Sequence, residues 1–230
     1  MEQNQFKDTA VLIFASSAEV DSHAKKIQAG VPLFQALTAQ TIQVVQATGL
    51  PYFHFTENEQ CGNSFGDRFI HAIQQVFDQG YSKIVAVGND SPHLGAKQLL
   101  QAAAETSKEN VVLGPSLDGG FYLLGLHADH FDEHGLGQLP WQTSSLLNKT
   151  KTYLKSLNIG VTLLQTFKDI DALADLKRLS DAIRSLGKQW LQLFSGLLQK
   201  QASYFGAQQV FLQTHTFNIP FNKGSPSRFA

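Results

Sequence analysis

The sequence predicts an α/β fold built on a mostly parallel sheet, and three observations predict it. Two short, uninterrupted apolar runs, residues 10–15 (AVLIFA) and 84–87 (IVAV), read as strands covered on both faces. Strand-like and helix-like segments alternate from residue 10 to residue 186, which is the pattern of βαβ units. The second run stops on Gly88, Asn89, Asp90, Ser91 and Pro92; Gly88 permits a tight exit and Pro92 prevents the strand from continuing. Open α/β sheets bind ligands outside the carboxyl ends of their strands. Asp90 is therefore an acid carried to the binding edge.

The elements follow in order. Residues 1–9 are polar and read as a frayed end, and 10–15 as the first strand. Residues 16–30 are small and polar and show no periodicity. Residues 31–48 carry Leu33, Leu37, Ile42 and Val45 at helical spacing, ended by Gly49 and Pro51. The aromatic alternation of 52–56 (YFHFT) predicts a strand, 57–65 a loop, and 66–77 a helix with Phe69, Ile73, Val76 and Phe77 on one side. After the strand at 83–87, the spacing predicts a helix over 94–106, a short strand at 111–113, a loop at 114–118 and a strand at 119–126. Residues 127–140 read as irregular, 144–157 as a helix, 161–166 as a strand and 171–186 as a helix. Residues 187–230 read as an extension to a domain of residues 1–186. Trp190, Leu191, Phe194, Leu197 and Leu198 give it an apolar face to pack on the domain or on a second subunit, which makes a homodimer an expectation.

Composition narrows the function classes. With 43% hydrophobic and 16% charged residues the chain has material for a sizeable core, and its net charge of -1 lacks the basic excess of a general nucleic-acid binder. Cys61 is the single cysteine, so no internal disulfide is possible and a surface or structural thiol is expected. No signal-peptide pattern and no bilayer-length apolar stretch occur, so a cytoplasmic protein without a membrane span is expected.

Carboxylates recur at strand ends: Asp90, Asp118, and the pair Asp169 and Asp171. Acids converging at the carboxyl edge of a sheet suit a hard divalent cation, Mg²⁺ or Mn²⁺, that takes one or two carboxylates plus substrate phosphates. Each acid also has a plainer reading as a turn former or cap, and Asp171 is placed to N-cap its helix. Gly119 and Gly120 allow close approach of backbone to a ligand, or equally a bend in the strand. His127, His130 and His134 fit no zinc spacing, and both Gly-rich phosphate-loop patterns are absent.

The runs GNDSP, VVLGPSLDGGFYLLGL, PWQTS and DIDALADL together resemble a bacterial family of glycosyltransferase-A-like proteins, domain-of-unknown-function family 2064. The family's usual forms are G(S/T)D(S/C)P, GPxxDGGYYLxGL, WST and DxDTPEDL, and SFGDRFIHAI resembles its GxLGERMxxAF. The resemblance spans about residues 10–180. It implies a three-layer nucleotide-diphospho-sugar transferase sandwich. It implies Asp90 and Asp171 as metal-associated acids sharing one cation, Asp118 with Gly119 and Gly120 on the acceptor side, and Trp141 and Thr143 in the WST segment. The family's basic loop after the first strand, PxPGxVKTRL, is here SSAEVDSHAKKIQAG, where Lys25 and Lys26 are the available substitutes for contacting donor phosphates. The implied function is transfer of a glycosyl or nucleotidyl group from a nucleotide or nucleotide-sugar donor to a small-molecule acceptor. The alternative is a catalytically degenerate member that binds a ligand or partner.

Overall fold

The computed structural model describes residues 6–26 and 30–167. Six strands form one sheet: β1 Thr9–Phe14, β2 Tyr52–Phe55, β3 Lys83–Val87, β4 Asn110–Pro115, β5 Phe121–His127 and β6 Gly160–Leu163, in the order β2-β1-β3-β5-β4-β6. The helices are α1 Ala18–Ala24, α2 Val31–Gln46, α3 Phe65–Phe77, α4 Ala96–Glu105, α5 Glu133–Gly137 and α6 Leu146–Ser156.

The two apolar runs pair as neighbouring inner strands. β1 and β3 are parallel, with Ala10 opposite Ile84, Leu12 opposite Ala86 and Ile13 opposite Val87. Alternation along β1 sends its side chains to opposite faces. Ala10, Leu12 and Phe14 join Phe69, Ile73 and Val76 of α3 and Leu154 of α6 on one face. Val11 and Ile13 join Val45 of α2 and Leu99, Ala102 and Ala103 of α4 on the other. Helices thus cover both faces, giving the three-layer sandwich, and continuous apolar runs are what such coverage demands.

β5 is the strand that reverses. It runs antiparallel to both β3 and β4, while the remaining pairings are parallel. The connection from β4 to β5 is a tight turn, too short for the crossover that a parallel neighbour requires. Because β5 is reversed, its beginning, not its end, lies beside the carboxyl end of β3: Val87 pairs with Leu123. His127, at the far end of β5, pairs with Lys83, so the 127–130 histidines lie at the opposite edge of the sheet.

Several elements differ from the sequence reading; the strand expected at 161–166, for instance, is Gly160–Leu163. Helix α1 lies inside the stretch read as irregular. It has seven residues, Ala18 is its one buried side chain, and its start is fixed by Ser17 and not by an apolar stripe. β4 continues through Gly114 and Pro115, held by pairing with β5, where composition suggested a loop. Gly119 and Gly120 belong to the turn, and β5 begins at Phe121. The one-turn helix α5 occupies part of the stretch 127–140. No helix among the described residues is long and apolar enough to cross a membrane. The helix expected at 171–186, the extension 187–230 and Asp171 lie outside the described residues.

Candidate functional site

A cleft of about 670 Å³ opens where β1 and β3 end and β5 begins. Asp21, Lys25, Arg68, Asn89, Asp90, Asp118, Gly120, Trp141, Gln142 and Thr143 all line it. The reversal of β5 is what unites the two acids: the loop leaving β3 delivers Asp90, and the turn entering β5 delivers Asp118 to the same edge.

On the α1 side the residues are polar and mutually engaged. Ser17 caps α1 by accepting from the Val20 N–H, and it donates its own N–H and hydroxyl to Glu57, each at 2.6 Å. These bonds, hydroxyl first, hold the Glu57 carboxyl below the usual range. The capped helix presents Asp21 and Lys25. Lys25 Nζ lies 3.0 Å from Asp90 Oδ2, with both side chains largely buried, and 5.7 Å from the centre of the Phe34 ring. Asn89 donates to Asp21 Oδ2 at 3.0 Å and to Thr38 Oγ1 at 2.9 Å, tying β3 to α1 and α2. Burial pushes the Asp21 carboxyl up; the Asn89 bond and the Lys25 charge oppose that shift, while the Asp90 and Glu57 charges add to it.

On the β5 side Asp118 is held by its own turn. Its Oδ1 accepts the Gly120 N–H at 3.0 Å and the Ser116 hydroxyl. Gly119 has φ +94, and a Cβ there would come within 2.1 Å of the Ser144 carbonyl oxygen. The close approach that Gly119 permits is therefore to the 143–147 segment, whose Leu147 N–H donates to the Gly119 carbonyl at 2.9 Å. Gly119 is not among the cleft-lining residues; Gly120 is.

The floor between α3 and β5 is aromatic. Trp141 packs edge-on to Phe69 and Phe121 and donates its indole N–H to the Leu136 carbonyl at 2.9 Å. Thr143 donates to the Pro140 carbonyl at 2.7 Å, which closes the turn that places it in the cleft. Lys26 is exposed and does not line the cleft.

The structure thus brings Lys25, Asp90, Asp118, Gly120, Trp141 and Thr143 to one place. It sets Lys25 against Asp90, a partnership that spacing along the chain does not reveal. Sequence reasoning missed Asp21, Asn89 and Arg68 as lining residues. Arg68 had a signal: it is a charged residue inside the apolar stripe of α3, between Phe65 and Phe69. Asp21 had none, because α1 carries no periodicity.

Among the described residues, no three acid, histidine or cysteine side chains gather closely enough to hold a metal ion. Asp90 nevertheless offers a carboxylate oxygen against which an ammonium already rests at 3.0 Å. The position accepts a cation, and the oxygen donor suits a hard one.

Comparison with known proteins agrees with the architecture. The chain overlays on a crystal structure of a candidate nucleotide-diphospho-sugar transferase from Desulfovibrio desulfuricans G20 with a TM-score of 0.71 and 18% identity, covering 84% of this chain and 97% of that one. A homologue of Mycobacterium tuberculosis Rv0371c from Mycobacterium sp. strain JC1 overlays with a TM-score of 0.50 and 15% identity, over 78% of this chain and 98% of that one. The fold is that of the nucleotide-diphospho-sugar transferases, a mostly parallel α/β sandwich. No curated protein matches the chain. Residues 22–143, more than half of the chain, match the profile of a family described as "Uncharacterized protein conserved in bacteria". The chain belongs to that family, domain-of-unknown-function family 2064.

Proposed function

We propose that the protein is a transferase that moves a glycosyl or nucleotidyl group from a nucleotide donor to a small-molecule acceptor, assisted by Mg²⁺ or Mn²⁺. The observation that carries this reading is the convergence of Asp90 and Asp118, from separate loops, on one cleft at the carboxyl edge of a nucleotide-diphospho-sugar transferase sheet. Group transfer from a diphosphate requires stabilisation of the departing charge more than a strong acid or base. When bound, a divalent cation would supply that stabilisation as a Lewis acid. Asp90 would hold it, with Asp171 as the second carboxylate of the proposed pair.

The chain's own residues take the remaining tasks. Asp118, with Oδ1 committed to Gly120 and Ser116, keeps Oδ2 to orient an acceptor hydroxyl or take its proton. Trp141 offers an aromatic face for the planar or apolar part of the ligand. Gly120 leaves room beside Asp118, and Thr143 lines the same wall. Lys25 is the proposed cation of the first loop for the donor phosphates; Lys26, the other candidate, lies outside the cleft.

A second reading is favoured by one observation. The Lys25–Asp90 ion pair satisfies the proposed metal acid and the proposed phosphate cation with each other, as in a protein that binds a ligand without turning it over. A thermal-shift and calorimetric panel of nucleotides and nucleotide sugars, with and without Mn²⁺, separates the two. Metal-dependent stabilisation by a nucleotide donor is expected of the transferase, with release on adding acceptor of nucleoside diphosphate if a glycosyl group moves, or of pyrophosphate from a nucleoside triphosphate if a nucleotidyl group moves. Stabilisation without release supports the binding protein, and no stabilisation by any donor counts against both.

A further inference from the structure

We infer that Arg68 is the anchor for the donor's phosphate oxygens, an inference that rests on the nucleotide-donor reading of the cleft. Among the described residues, five charged side chains line the cleft: the acids Asp21, Asp90 and Asp118, and the bases Lys25 and Arg68. The acids are in excess, so an anionic ligand is repelled unless a cation is free to receive it. Lys25 is already paired with Asp90 at 3.0 Å. Arg68 forms no ion pair and no side-chain hydrogen bond with any described residue, although it is half-buried in the wall.

Its neighbour in sequence does not pair with it either. Asp67, the adjacent carboxylate, is turned to the start of α3, where Oδ2 accepts the Ser64 N–H at 3.0 Å while the Ser64 hydroxyl accepts the Asp67 N–H at 3.0 Å. Those cap bonds hold the Asp67 carboxyl below the usual range, with the Arg68 charge the smallest of the contributions. The capping box thus commits the adjacent carboxylate to the helix start and not to the cleft.

The anchoring is mechanical as well as electrical. Phe65 and Phe69, on either side of Arg68 along α3, are fixed by ring contacts to Phe14 and Trp141. The arginine stem thus rises from a rigid stretch of helix. A guanidinium offers a planar fork that bonds two phosphate oxygens at once, an arrangement that the ammonium of a lysine cannot reproduce.

The experiment measures binding of inorganic pyrophosphate, UDP, GDP and their sugars to the full chain in Mg²⁺ by calorimetry, with Arg68→Met and Arg68→Lys as variants and melting temperatures as the control for folding. The expected result is that Arg68→Met weakens every diphosphate that binds by roughly tenfold or more. Arg68→Lys should fall between Arg68→Met and the wild type, with both variants melting as the wild type does. Arg68→Met binding within about twofold of wild type overturns the inference and leaves the transferase reading standing. Arg68-dependent binding of pyrophosphate, with no binding of any nucleotide, supports the anchor and overturns the transferase reading. Wild-type protein that binds none of these ligands overturns both.

Discussion

The ammonium of Lys25 stands 3.0 Å from Oδ2 of Asp90, across 65 residues of chain. If Asp90 holds a cation as proposed, the lysine competes with that cation for the carboxylate. Replacing Lys25 with Met should therefore raise the affinity for Mn²⁺ in the absence of nucleotide by about fivefold, the worth of a partly exposed ion pair. Mn²⁺ titration followed by electron paramagnetic resonance reads this directly. Unchanged or weaker metal binding in the variant would show that Lys25 does not compete for the site.

Asp118 is the proposed acceptor-side acid, and its turn holds one oxygen while leaving the other. Asp118→Asn should lower turnover by roughly 10²–10⁴-fold with the melting temperature preserved. Ser116→Ala should cost about tenfold or less, because the Gly120 N–H still holds Oδ1. Equal losses in the two variants would mean that Asp118 acts through the turn alone.

Asp21 gives a pH signature. Burial raises its carboxyl in the folded state above the usual carboxylate range. The folded chain therefore holds that proton more tightly than the unfolded chain does, so the group favours folding at low pH and this contribution is lost as pH rises through the folded value. Asp21→Asn keeps an oxygen for the Asn89 amide and removes the titration. Its melting temperature should match wild type near pH ~3 and exceed it increasingly toward pH ~7. An offset that does not change with pH would point to packing in place of ionisation.

Gly66 and Trp141 are in direct contact: a Cβ at residue 66 would lie 2.5 Å from the indole Cδ1. Gly66→Ala should push the indole out of its place and weaken its bond to the Leu136 carbonyl, at about 1–3 kcal/mol of stability. In a Trp190→Phe background Trp141 is the sole tryptophan, so its emission and near-ultraviolet circular dichroism report the displacement. An unshifted spectrum would mean that α3 moves and Trp141 does not.

The inner strands, the two-faced core and the delivery of Asp90 to a strand end were all legible in the sequence, since burial on both faces demands continuous apolar runs. The wider turn of Asp118 was legible as a motif but not as a geometry. Gly119 faces Ser144 across a gap that no one-dimensional pattern encodes. The α1 side was not legible, because Asp21, Lys25, Asn89, Asp90 and Thr38 find each other through tertiary bonds from three separate segments. Arg68 was visible as a charge in an apolar stripe, but that no described side chain pairs with it depends on tertiary placement.

The turn between β4 and β5 also bears on the order in which the site assembles. It is a hairpin, closed by neighbours in sequence, whereas the β1–β3 ladder joins Thr9 to Lys83 and the Lys25–Asp90 pair spans 65 residues. Local pairings incur little loop-closure entropy and form early, and distant parallel ones form late. Asp118 is thus expected in the early part of folding and the Lys25–Asp90 contact in the late part. Substitutions in the Asp118 turn should slow folding, while loss of the ion pair should chiefly hasten unfolding. The two halves of one cleft should therefore assemble at different times, and the half expected to close last should also be the first to open.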